Sequence, residues 1–258
     1  MLQLPEAESN DYVIRILDSL GEVEASEWDA LLARQPAPTP FMRHAYLHAL
    51  ESSGCASAST GWQGRVVTLW RGRALAAATV VFRKTHSHGE YVFDWAWARA
   101  YAEHGLRYFP KAVTSVPFTP VPGTRLLARD DGAREALARA SLQWCQESGM
   151  SSWHVLFADE ADLRACQAAG MMLRHTVQFH WTRPPTPCGD LEHYLALMSQ
   201  DKRKKIRQER RKVTEAGVRF RTRVGDAIRE ADWDFFYRCY ERTYLEHGNP
   251  PYLSRAFF

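Results

Sequence analysis

Ser152-Trp-His-Val-Leu-Phe-Ala158 decides the fold class. It is a short apolar run set between two helical patterns, Gly132–Ser148 and Asp159–Ala169, each closed by a glycine (Gly149, Gly170). A run this short between helix patterns reads as a buried strand, and helix–strand–helix order points to an α/β architecture. Downstream, Met172–Trp181 alternates like a further strand, with Val177, Phe179 and Trp181 in core phase. Upstream, Tyr12–Leu17 reads as a strand, Ser26–Arg34 as a helix capped by Ser26, and Phe41–Glu51 as a helix after the breaker Pro36–Pro40. Arg65–Trp70 and Ala74–Arg83 flank Arg71-Gly-Arg73 as a β-hairpin. Phe93–His104 is an aromatic helix and Lys111–Val116 a strand, followed by the rigid Pro117-Phe-Thr-Pro-Val-Pro-Gly123.

This plan assigns residues 1–183 to a first domain. Pro184-Pro-Thr-Pro-Cys-Gly189 is the linker. Residues 190–258 hold a helical segment to Gly217, a strand Val218–Val224 and a helix Ala227–Glu246. The chain stops at Arg255-Ala-Phe-Phe258, an apolar ending that predicts a second domain begun and not completed.

With 258 residues, 45% hydrophobic and 24% charged, the composition is that of an ordinary globular protein. No apolar run reaches the ~20 residues a membrane helix needs, and the start lacks signal-peptide character. Five scattered cysteines without C-x-x-C spacing disfavour disulfides and structural zinc, and predict a reducing, cytoplasmic setting.

Net charge is only +3, yet Lys202–Lys212 holds eight basic residues in eleven. On a helix capped by Ser199 or Asp201 and ended by Gly217, Arg203, Arg207, Arg210 and Arg211 gather on one face, while Ile206, Val213 and Ala216 form a thin apolar stripe. Lys202 lies beside that stripe. Such a face suits phosphate or carboxylate, although a solvated helix with Lys205–Glu209 pairing explains much of the pattern.

A second motif is His86-Ser-His-Gly-Glu-Tyr-Val-Phe-Asp-Trp-Ala-Trp97. His86, His88 and Glu90 share a face if the segment is extended, but no fourth ligand is evident and no metal site is assigned. Two readings stand for its acids. Glu90, Asp94 or His86 accepts a proton in a catalytic step, with surrounding aromatics raising a carboxylate's pKa. Alternatively, Asp94 caps the next helix and Glu90 meets an Arg or Lys. Thr119 and Arg125 flank the proline-rich turn, and Arg125 is a candidate carboxylate or phosphate clamp.

Both motifs resemble the FemAB-like family of peptidoglycan biosynthesis/recognition proteins, classed as N-acyltransferases. Ser199, Arg203, Ile206, Arg207, Glu215, Gly217 and Val218 match its basic run, and His86–Trp95 matches its more specific aromatic–acidic motif. Val116–Val121 with Arg125, His154–Phe157 and Val177–Trp181 extend the likeness from Phe41 to Phe258. The resemblance implies tandem GNAT-like domains, the second incomplete, and transfer of an acyl or aminoacyl group to an amine on a cell-wall precursor. The donor is acyl-CoA or aminoacyl-tRNA. No Gly-rich pyrophosphate loop opens a helix here, which argues against ordinary acetyl-CoA chemistry. Glu90, His86 and Asp94 are then the catalytic candidates, and Thr119, Arg125, Lys202, Arg203, Arg207 and Arg210 the substrate-binding ones. The alternative is a non-catalytic module binding tRNA or another polyanion.

Overall fold

The computed structural model describes residues 12–36, 38–183 and 189–258. The central element is the hairpin β2 (Trp62–Arg71) and β3 (Ala74–Lys84), two long strands rich in Val, Thr and aromatics. β1 (Val13–Leu17) pairs antiparallel with β2, and β4 (Lys111–Thr114) antiparallel with β3. β6 (Trp153–Val155) joins β4 in parallel, and the two-residue β5 (Leu127–Ala128) pairs with β3. The result is a six-stranded mixed sheet in the order β1-β2-β3-β4-β6, with β5 off that path. The α/β expectation holds at this level.

Strand alternation splits the core into two layers. Val66, Ala78, Val80 and Phe82 face one way, against Trp28, Leu31 and Leu32 of α1 (Ala25–Ala33) and Leu47 and Leu50 of α2 (His44–Ser52). Val67, Leu69, Ala77 and Val81 face the other way, against Leu137 and Ala138 of α4 (Asp131–Glu147) and Ala165 of α5 (Glu160–Ala168). Trp28 fixes its layer further by donating its indole N–H to the Met42 carbonyl at 2.8 Å. The aromatic helix α3 (Trp95–Glu103) buries none of its residues. α6 (Leu191–Ala196), α7 (Gln200–Glu215) and α8 (Glu230–Glu246) complete the elements.

Two compact units emerge. One comprises residues up to His175 together with Asp234–Phe258, and the other Thr176–Trp233. Asp234–Phe258, assigned from sequence to the second domain, packs in the first unit, where Leu253 and Phe257 lie on the α1–α2 core layer. Except for Gly189, the expected linker lies outside the described residues.

Several local expectations need correction. Met172–Trp181 and Val218–Val224 form no strand, because no neighbouring strand among the described residues offers them a ladder. Val177, Phe179 and Trp181, expected in a core, are exposed for the same reason. Ser26 does not cap α1, whose N-cap is Glu24. Ser199 is the N-cap of α7 but makes no side-chain cap bond.

One buried brace ties α5 to the segment entering β5. Asp162, wholly buried, accepts the backbone N–H groups of Arg125 and Leu126, and its other oxygen pairs with Arg134 Nε at 3.2 Å. Removing that carboxylate strands two buried amides, while Arg134 keeps its bonds to Asp131 and Gln35. Asp162→Ala is expected to cost about 3 kcal/mol in urea unfolding, and Asp162→Asn, which keeps one acceptor, clearly less. Equal losses would contradict the brace.

Candidate functional site

The site begins with sheet register. In the β3–β4 pair Lys84 stands directly opposite Lys111, and in the β2–β3 pair it stands opposite Trp62. The three side chains therefore line up across one face of the sheet. Both lysines are 0% exposed. Like charges opposed on adjacent strands and shut from water need counter-charges. The segment between β3 and α3 supplies them.

That segment turns its acids inward by unusual backbone geometry. Tyr91 and Phe93 adopt left-handed φ values of 61° and 50°, and Phe118, beyond β4, adopts 61°. Such conformations cost bulky residues energy and persist only where surroundings impose them. The imposition is visible at Gly89: a Cβ there would lie 2.6 Å from Phe118 Cδ1, and its carbonyl accepts the Phe118 amide. On either side of Tyr91 and Phe93, Glu90 and Asp94 point inward, each 2% exposed, while Phe93, Trp95 and Trp97 point to solvent.

Lys111 Nζ donates to Glu90 Oε2 at 2.7 Å, to Ser87 Oγ at 3.0 Å, and to Asp94 Oδ2. Tyr108 also donates its hydroxyl to Asp94 Oδ2. Lys84 Nζ sits 3.5 Å above the Trp62 ring and donates to the His88 carbonyl at 3.2 Å. Glu90 Oε1 and Asp94 Oδ1 are buried without hydrogen-bond partners among the described residues.

The two carboxylates are driven apart in acidity. Burial pushes the Glu90 carboxyl above its usual value, against the pull of Lys111. Burial acts the same way on Asp94, but hydrogen bonds from Lys111, Tyr108 and Ser87 outweigh it and hold that carboxyl at about 2. Desolvation brings the Lys84 amine down to about 7. One acid stays ionised, one is raised, and one amine is close to neutral, a division typical of acid–base sites.

His86 lies outside the ionic cluster. Its Nδ1 accepts the His88 amide at 3.2 Å, which assigns the ring proton to Nε2 in the neutral form. Burial and the nearby Lys84 keep the ring below its ordinary pKa. His86 is thus a donor, with its basic nitrogen occupied. Of the three catalytic candidates, Glu90 and Asp94 are brought together and His86 is set apart beside the Trp62 ring's cavity.

The binding candidates scatter. Thr119 exchanges a hydrogen bond with the Tyr46 hydroxyl at 3.2 Å and donates to the Pro117 carbonyl. Arg125 is 1% exposed. Its guanidinium donates to the backbone carbonyls of Leu156, Thr124 and Val121, so it braces the Pro117–Gly123 turn rather than facing a ligand. In the second unit, Arg203 donates to the Met198 and Ala196 carbonyls at the end of α6, and Arg207 pairs with Glu192. Those two arginines hold α7 to α6. Lys202 and Arg210 are exposed and, with Lys204, Arg211 and Lys212, have no side-chain partner among the described residues.

Sequence reasoning missed Lys84 and Lys111. The signal was present: Val80, Phe82 and Lys84 share one strand face, as do Lys111 and Val113, so each lysine occupies a core-phase position.

No curated protein and no solved structure matches the chain. The family model described as peptidoglycan biosynthesis/recognition matches residues 19–258, which include the ionic cluster and the basic helix. With a match over that span, the chain belongs to the FemAB-like family.

Proposed function

We propose that the chain is an N-acyltransferase of cell-wall precursor metabolism, with Glu90 as the proton acceptor. The observation that carries this reading is the free, buried Oε1 of Glu90, on a carboxyl of raised pKa beside an Asp94 held ionised. An acceptor ammonium loses a proton to Glu90 Oε1. The freed amine lone pair forms the N–C bond to the donor's acyl carbon. The acyl–donor bond breaks with its electrons on the donor, which takes up the second proton shed by the new amide nitrogen, while Glu90 returns the first to solvent. Lys111 and Asp94 position Glu90, and Lys84, its amine lowered to about 7 by desolvation, lies against the Trp62 ring nearby. Family membership supports a transferase; a cytoplasmic location, tandem GNAT-like domains and an acyl-CoA or aminoacyl-tRNA donor belong to the same reading.

A second reading is favoured by α7. It buries no residue and presents five cationic side chains without side-chain partners among the described residues, a surface suited to the phosphates of tRNA or of a nucleotide-linked precursor.

Transfer of a labelled aminoacyl group from aminoacyl-tRNA to a muramyl-peptide amine tests the first reading. Glu90→Gln is expected to lower kcat/KM by about 100-fold or more while thermal melting moves by only about 4 °C. Unchanged turnover would remove Glu90 from the mechanism.

The same assay against pH has a definite sign. The base form is required, so activity falls as pH drops through the Glu90 pKa. Because that pKa is raised, the acidic limb should lie above 4.5 and disappear in the residual activity of Glu90→Gln.

For α7, tRNA binding across a salt series should weaken in Arg210→Ala and in Arg211→Ala. Each loss reduces the log–log slope by about 0.7–0.9, and Arg207→Ala has a smaller effect because Glu192 already neutralises it. Salt-insensitive binding would reject phosphate recognition by this helix.

A further inference from the structure

Trp62 also lines a cavity of about 440 Å³ within the first unit. Its walls are apolar: Trp62, Phe118, Tyr252 and the pair Pro250–Pro251. They are also fixed. Phe118 and Tyr252 stack with centroids 4.8 Å apart, Phe118 meets Trp62 edge-on at 5.4 Å, and Gly89 leaves no room for Phe118 to retreat. A rigid aromatic enclosure of this size matches small-molecule sites.

The polar groups on the lining are unbalanced. The indole N–H of Trp62, a residue only 1% exposed, has no hydrogen-bond partner among the described residues. An indole N–H can only donate, and leaving it unmet in a buried place is unfavourable. His88, exposed at the rim, adds a ring that can donate, and Asn249 adds an amide whose Nδ2 uses one proton on the His247 carbonyl. No Asp or Glu lines the cavity, and Lys84 lies against the Trp62 ring. Thr60, His88 and Asn249 on the lining can accept as well as donate, but among the described residues the one buried lining side-chain atom left without a partner is a donor. An ionised carboxylate is acceptor-only, and an apolar flank would fill the aromatic walls.

We propose that this cavity binds a small organic carboxylate, its oxygens on Trp62 Nε1–H and His88 and its apolar body against Phe118 and Tyr252. The site is distinct from the Glu90 cluster, and binding is read directly, so it stands or falls apart from acyl transfer. The probes are phenylacetate and its cationic counterpart phenethylamine, titrated calorimetrically into the full chain. Phenylacetate should bind saturably and at least about tenfold more tightly than phenethylamine. Trp62→Phe, which keeps a ring and removes the N–H, and His88→Ala, at the exposed rim, should each weaken phenylacetate by about tenfold. Should Trp62→Phe fail to fold, His88→Ala decides alone. Absence of saturable phenylacetate binding, equal affinity for both probes, or binding unmoved by the folded variants would overturn the proposal.

Discussion

Two lysines opposed across adjacent strands, both shut from water, are the constraint around which the first unit is arranged. An ammonium in such a place is tolerated only with opposite charge and hydrogen bonds close by. Glu90 and Asp94 meet that demand for Lys111, and the left-handed backbone at Tyr91 and Phe93 is how the chain delivers them. Lys84 is met less fully, by a ring face and one carbonyl, and its amine is correspondingly driven toward neutrality. Replacing the four groups with apolar ones would suit folding better in principle, since buried ion pairs add little net stability. Their presence together is better understood as a chemical arrangement held by the fold than as a stabiliser of it.

The sheet explains why the arrangement stays rigid. β2 and β3 are sandwiched between two apolar layers, so the register that opposes Lys84 to Lys111 cannot slip without turning each core face outward. The short β4 takes its place from the long hairpin, and the parallel β6 backs it. Arg125 and Asp162 extend this bracing to the turn after β4, which is why an arginine that looked like a ligand clamp is spent on backbone carbonyls.

Much of this was legible from residue patterns. The hairpin, the two core helices α4 and α5 and the buried β6 follow from periodicity and glycine stops, because each buries its own apolar face locally. Glu90 and Asp94 stood out through an acid-bearing aromatic motif, but their partner did not, because Lys111 reaches them through tertiary packing from β4, which no local rule encodes. Alternation misled at Met172–Trp181 and Val218–Val224, where period-two patterning states what a strand would need and not that a neighbour is there. On α7 the four-arginine face was read correctly as a helix face, yet two of its members serve α6, which charge phasing alone could not reveal.

The stacking of Tyr252 on Phe118 joins positions far apart in the chain. A ribosome makes the hairpin, the acids and Phe118 well before it reaches Tyr252. Until Asn249–Tyr252 has been made, the aromatic enclosure has no far wall. The cavity therefore cannot close before this segment is translated, so a ligand held there marks a chain synthesised through Tyr252.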